Sequence, residues 1–237
     1  MNILLIAGHG EEDPGACLYS RREATMAREL VALLQKELLK YECKCGVYNP
    51  DLSAYHQMIT LGKPYDFTMY DYVLEVHFNA HKSNADGKVQ GSEMYVTSGE
   101  LVTTLEERIL NNLAAIGFTN RGIKCKDFAV IKKAKKQGVS SALLETCFID
   151  DEDDMMLYLN NTELVAKTIA YAIAAEYGLE KKVQATFRDT EEHWAKKDIE
   201  KVAKSGLMKG YYDGTFMPDN FVTRGELATV LSRILSK

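Results

Sequence analysis

Short apolar runs that alternate with helix-length amphipathic segments set the strongest limit on how this chain can fold. Asn2 to Ala7, apolar without a break from Ile3, reads as a buried strand ended by the Gly8-His9-Gly10 turn. From Glu23 to Lys40, the apolar residues Met26, Leu30, Leu33, Leu34 and Leu38 recur at helical spacing. Lys44 to Tyr48 reads as a second strand, and a longer loop holding Pro50 and Pro64 leads to a third at Tyr72 to His77. Beyond it the pattern predicts a strand over Gly91 to Thr97, an amphipathic helix over Leu101 to Ile116, a short strand over Ala129 to Ile131, a buried strand over Ser141 to Thr146 and a helix over Glu163 to Tyr177. Strands and helices of these lengths in this order predict an α/β fold, a mostly parallel sheet with helices on both faces.

The pattern changes after Tyr177-Gly178. Leu179 to Ala185 is polar and aperiodic, and Phe187 opens a new pattern, so a boundary is expected near residue 182. It separates a first domain of residues 1–180 from a small C-terminal helical module of residues 186–237. A module of that size buries proportionately little surface. Its expected parts are a helix from Lys196 to Ser205, a Gly-rich turn around Asp213-Gly214, and a second helix capped by Thr223 with Glu226 three residues on.

Composition excludes some classes of function. Apolar residues at 46% and charged residues at 27% suit a chain with a real core. A net charge of -5, with Lys and Arg interspersed among Asp and Glu, argues against a nucleic-acid partner. Lys132, Lys133, Lys135 and Lys136 read as a solvated charged turn, with contact to an anionic wall polymer as the alternative. No apolar run approaches the roughly 18 residues of a membrane span, and the opening MNILLIAGHG has no basic n-region or cleavage site, so neither a membrane anchor nor a signal peptide is expected. The five cysteines are odd in number and scattered, which suits a reducing compartment; Cys43 and Cys45 read as strand residues.

Three side chains are candidates for a catalytic metal site: His9 after the first strand, Glu23 at the start of the first helix, and His77 at the end of a central strand. Two imidazoles and a carboxylate leave a fourth position open, as a hydrolytic zinc requires. In a mostly parallel sheet the carboxyl ends of the strands share one crevice, so His9 and His77 should face the same space, with Glu145 beside them as a carboxylate able to take a proton from water. A strand-end histidine with a purely structural role is the alternative. Glu75 shares a strand face with His77, either orienting its ring or standing as a polar residue near the strand's exposed end. His56, His81 and His193 read as surface or packing residues.

The segments IAGHGEEDPGA, EVHFNA, GSEMYV, NRGIK and LLETCFIDDEDD, with Glu23 opening a helix, make the first 178 residues resemble the N-acetylmuramoyl-L-alanine amidase family called amidase type 3, especially its clostridial phage endolysin branch. The resemblance implies one Zn2+ held by His9, Glu23 and His77, with Glu145 as the catalytic carboxylate, acting on the amide between muramic acid and L-alanine. It also implies that Asn79 shapes the loop over the metal, and that Arg121 or Lys124 contacts a carboxylate of the stem peptide; a polar turn before a strand is the competing reading of Asn120-Arg121-Gly122.

The tail resembles one complete S-layer homology module through Phe187, Asp189, His193-Trp194-Ala195, Gly210-Tyr211, Asp213-Gly214, Phe216, Pro218 and Thr223-Arg224. Such modules bind anionic secondary polymers of Gram-positive walls, so the resemblance points to Trp194, Asp213, Gly214 and Arg224 as polymer contacts, with Arg224 alternatively paired to Glu226 or Asp219. They usually act in threes, so a lone copy implies either a homo-oligomer or a weak packing role. Together the readings predict a peptidoglycan hydrolase made in the host cytoplasm, released through a holin as a phage or prophage endolysin, and acting at the wall. The alternatives are a zinc peptidase cutting within the stem peptide, a resident autolysin, or a wall-anchoring protein with an inert first domain.

Overall fold

The first strand already shows how the layers are arranged. In the computed structural model, which describes every residue except 82–88, 101, 183–186, 212 and 236–237, β1 (Asn2–Ala7) alternates its side chains between two cores. Ile3, Leu5 and Ala7 enter the larger core, while Leu4 and Ile6 enter a smaller one on the opposite face, as the pleat of a strand requires. A strand buried on both faces needs an apolar residue at every buried position, and Ile3 to Ala7 supply that.

The chain divides into two compact units, Met1–Lys181 and Lys182–Lys237. In the first, β1 is followed by a two-residue hairpin ladder, β2 (Cys17–Leu18) and β3 (Arg21–Arg22), then α1 (Glu23–Leu38) and β4 (Lys44–Val47). A π-helical turn at His56–Thr60 lies in the Pro50 to Pro64 segment, ahead of β5 (Tyr72–Asn79) and β6 (Ser92–Val96). Then come α2 (Thr104–Ala115), β7 (Asn120–Cys125), α3 (Ala129–Lys136), β8 (Ser140–Phe148), α4 (Glu152–Asn160) and α5 (Thr162–Glu176).

Six strands form one sheet in the order β4-β1-β5-β8-β6-β7. All neighbours pair in parallel except β6 and β8, so the sheet is mixed but mostly parallel. The larger core joins the sheet to α1, α2, α4 and α5 through residues such as Leu30, Leu34, Ile109, Leu113, Met155, Ile169 and Ile173. The smaller joins it to α3 and the π-helical turn through Val130, Ala134 and Met58, so helices cover both faces. Among the described residues no helix is long and apolar enough to cross a membrane.

Two local expectations are corrected. Ala129 to Ile131 is not a strand but the first turn of α3, whose Val130, Ile131 and Ala134 are buried while the lysines after them face outward. A β-branched pair after Phe128 imitates a short strand, but the i, i+1, i+4 burial is that of a helix. Lys132, Lys133, Lys135 and Lys136 therefore stand on this helix and not in a turn. Asn120-Arg121-Gly122 is likewise not a turn before a strand: it begins the edge strand β7.

The second unit carries α6 (Lys196–Lys204) and α7 (Arg224–Leu235). Thr223 and Glu226 form the expected reciprocal cap: the Glu226 amide donates to Thr223 Oγ1 at 3.2 Å, and the Thr223 amide to Glu226 Oε2 at 2.8 Å. Asp189 accepts from the amides of Phe216 and Met217, and the Phe187 and Phe216 rings pack 5.0 Å apart.

Candidate active site and metal centre

Alternation along β5 and β8 decides which side chains can meet. Tyr72, Leu74, Val76 and Phe78 of β5 enter the larger core, so Glu75 and His77 lie on the face covered by α3. On β8, Ala142 and Leu144 enter that same larger core, which turns Leu143 and Glu145 to the face of His77. The parallel register then sets His77 opposite Glu145. His9 lies just past the end of β1 with a positive φ of 62°, in the left-handed region that few non-glycine residues occupy. Glu23, at the first turn of α1, reaches over the same edge of the sheet.

The Glu23 carboxylate bridges the two imidazoles. Its Oε2 is 3.1 Å from His9 Nε2, its Oε1 is 2.9 Å from His77 Nδ1, and the two rings meet edge to face with centroids 4.9 Å apart. Backbone amides hold the carboxylate: Phe78 donates to Oε1 at 3.1 Å and Ala16 to Oε2 at 2.9 Å. The far nitrogens of both rings also face carboxylates, His9 Nδ1 at 2.7 Å from Asp13 Oδ2 and His77 Nε2 at 3.4 Å from Glu75 Oε1. His77 Nε2 is buried and, at that distance, makes no hydrogen bond.

One donor atom from each of His9, Glu23 and His77 lies within 4.8 Å of the others. Two nitrogens and a carboxylate oxygen this close, each ring backed by an outer carboxylate, form a donor set that fits a zinc ion with a position left open. Two glycines make room for it. A Cβ on Gly8 would stand 2.3 Å from the His77 ring, and one on Gly15, at a φ of +68°, would stand 2.6 Å from both Glu23 Oε2 and His9 Cδ2.

Charge follows the same geometry. Burial alone would raise the Glu23 pKa, yet the hydrogen bonds and charges of His77 and His9 outweigh it and hold this carboxyl well below its ordinary range. Burial would lower the pKa of both histidines, but Glu23, aided by Asp13 at His9 and Glu75 at His77, raises them. Glu145 differs: burial pushes its pKa up to about 7, the charges of Glu23, Glu93 and Glu75 push the same way, and His77 opposes. Its Oε2 is buried without a hydrogen-bond partner. The cavity holding these groups has a volume of about 450 Å3, and its walls include Ser53, Tyr55, Phe128 and Val130.

Beside it lies a second polar centre. Glu93, 2% exposed, stands opposite Glu145 across the antiparallel β6–β8 ladder. Its carboxylate accepts from Asn79 Nδ2 at 2.8 Å, the Tyr95 hydroxyl at 2.7 Å and Arg121 Nε at 2.8 Å, and from Lys124 Nζ. Asn79, Arg121 and Lys124 are thus brought together on one carboxylate. Neither Glu93 nor Asp13 stands out in the sequence. The available signals are an acid four residues after His9 and a charged residue just before the Met94-Tyr95-Val96 stretch of β6.

In the second unit, Trp194 is 87% exposed and Arg224, the first residue of α7, is exposed as well. The acids considered as Arg224 partners are engaged elsewhere, Glu226 by Thr223 and Asp219 by His193 at 3.3 Å. Asp213 accepts from the Thr215 amide and hydroxyl, and Gly214 takes a φ of 82°, so this pair builds the turn.

Residues 3–175 match the family described as N-acetylmuramoyl-L-alanine amidase, and residues 186–228 match the S-layer homology domain. The first region is similar to "Probable autolysin PH" of Staphylococcus aureus, 26% identical over 186 residues, covering 72% of this chain and 38% of that protein. The tail is similar to the "Cellulosome-anchoring protein" of Acetivibrio thermocellus, 45% identical over 65 residues, covering 27% of this chain and 14% of that protein. The chain therefore spans less than half the length of either relative. In fold it is similar to an N-acetylmuramoyl-L-alanine amidase of Clostridium difficile, with a TM-score of 0.64 and 18% identity over 75% of this chain and 96% of the other. By the match over residues 3–175, and with an S-layer homology domain behind that region, the chain belongs to the N-acetylmuramoyl-L-alanine amidase family.

Proposed function

We propose that this protein is a zinc-dependent peptidoglycan amidase that hydrolyses the bond between the lactyl group of N-acetylmuramic acid and L-alanine, carried on a wall-binding tail. The observation that bears most weight is the cavity in which the His9, Glu23 and His77 donors converge while Glu145, set opposite His77, remains without a hydrogen-bond partner at Oε2. A zinc ion bound there supplies Lewis acidity, polarising a carbonyl and acidifying water. His9, His77 and Glu23 would hold it, Asp13 fixes the His9 ring through its hydrogen bond, and Glu75 places a negative charge beside the His77 ring. Glu145 accepts the proton of the attacking water and delivers it to the departing alanine nitrogen, a role suited to a carboxyl whose pKa lies near neutrality. Phe128 and Val130 supply apolar walls to the cavity. Arg121 and Lys124, which share one carboxylate between two cations, supply net positive charge for a stem-peptide carboxylate.

The S-layer homology match supports a tail that binds an anionic wall polymer through Arg224 and Trp194. An enzyme held on the wall in this way suits an autolysin. The endolysin role uses the same chemistry, and the two part on timing: residence in the wall throughout growth supports the autolysin, and appearance only at lysis supports the endolysin.

The test of the chemistry is loss of turbidity of purified Gram-positive walls, with new N-terminal alanine assayed alongside. Metal-loaded protein should clear the walls and release alanine amino groups, chelated protein should not, and added zinc should restore both. Clearing without N-terminal alanine would favour a peptidase acting within the stem peptide, and intact walls in every tube would favour a binding protein.

A further inference from the structure

Arg28, on the second turn of α1, is half-buried, and among the described residues its hydrogen-bond acceptors are all backbone carbonyls. Its Nη2 donates to His9 O at 3.0 Å; its Nη1 donates to Gly8 O at 3.3 Å and to Ala24 O at 2.6 Å; its Nε donates to Pro50 O. Those carbonyls belong to three segments that build the cavity. Gly8 and His9 form the turn after β1, Ala24 follows the ligand Glu23, and Pro50 leads into Ser53 and Tyr55. The His9 backbone adopts a left-handed conformation that is unfavourable for a residue with a side chain and persists only where its surroundings impose it. A planar guanidinium with donors fanned in fixed directions is the side chain able to impose it on several carbonyls at once, and a flexible ammonium is not.

Resting on the metal-centre reading above, we infer that Arg28 is a positioning residue for that centre: it locks the strained Gly8-His9 turn to α1, so that His9 and Glu23 are held in register before any ion arrives. Preorganisation of this kind is read in metal affinity, because a ligand that must first be ordered binds more weakly.

The experiment is the zinc Kd of the full chain by competition with a chromophoric chelator, for wild type, Arg28→Met and Arg28→Lys, with the thermal midpoint of each. Leu34→Ala, a cavity variant in the core of the same helix, controls for general loss of stability. The expected result is a Kd raised by about 10-fold or more in Arg28→Met, the scale seen when outer-shell support is lost, and by a smaller but clear factor in Arg28→Lys. Leu34→Ala should lower the thermal midpoint and leave the Kd within twofold of wild type. If Arg28→Met fails to fold, Arg28→Lys decides. A Kd within twofold of wild type in the folded Arg28 variants, or an equal rise in Leu34→Ala, overturns the inference while the metal centre stands. Wild-type protein that binds no zinc overturns the metal reading, and the inference with it.

Discussion

At the scale of single residues, Glu145 and Glu93 are two facing carboxylates with opposite environments. Burial raises Glu145 to about 7, whereas the hydrogen bonds of Lys124, Arg121 and Tyr95 outweigh burial at Glu93 and lower its pKa. A base works only when ionised, so kcat/KM should fall as pH drops through the pKa of Glu145, and a cation held by His9, Glu23 and His77 favours the ionised form, moving that limb below about 7. A pH-rate profile checks this, and Glu145→Gln should lower kcat by about 10²–10⁴-fold with zinc still bound. Glu93→Gln removes the charge that gathers Asn79, Arg121 and Lys124. Because Lys124 is 41% exposed, the cost should fall below the ~3–5 kcal/mol of a broken buried pair, at about 1–2 kcal/mol in chemical denaturation, with KM rising more than kcat falls. The residues that end strands or open helices were legible in the sequence because they sit at breaks in a pattern. Glu93 and Asp13 were not, since their importance lies in partners distant in the chain or in a turn whose path no periodicity reports.

At the scale of elements, the sheet was legible because β1, β5 and β8 are short runs dominated by apolar residues, interrupted on the face away from the larger core by Glu75, His77 and Glu145. The helix α3 was misread because Val130-Ile131 is β-branched, and only the burial of Ala134 one turn on reveals the period. The edge strand β7 escaped because NRGIKC is polar at an edge, where no second neighbour demands apolar residues. The junction of β1 with β5 leaves no room for a side chain at Gly8. The Gly8 amide donates to Val76 O at 2.8 Å, which presses its α-carbon against the His77 ring. Gly8→Ala should therefore displace that ring, costing about 1–3 kcal/mol of stability by overpacking and weakening zinc by about 10-fold or more. Equal zinc affinity in a folded Gly8→Ala protein, measured by chelator competition, would show that the His77 ring can shift without leaving the metal.

At the scale of the whole molecule, the chain has two compact units, and the proposed function gives hydrolysis to the first and wall attachment to the second. A hydrolase acting on a wall gains from a second attachment, because tethering raises the local concentration of substrate without any new catalytic contact. The benefit should disappear on a substrate that is not part of a wall, and this separates the roles of the units within the intact chain. Arg224→Ala leaves Thr223 and Glu226 free to cap α7 as before, so the tail should keep its fold while losing a cation for an anionic polymer. The variant should sediment less with purified walls and clear them more slowly, yet hydrolyse soluble muropeptides at the wild-type rate. Wild-type sedimentation should itself weaken as salt rises from about 0.05 to 0.5 M, because exposed charges are screened over a Debye length. If a lone tail is aided by association of several chains, wall binding should also steepen with protein concentration, and analytical ultracentrifugation over the same range should show the oligomer. Steep binding by a strictly monomeric protein would place the avidity in the polymer, whose repeating units recapture a released chain.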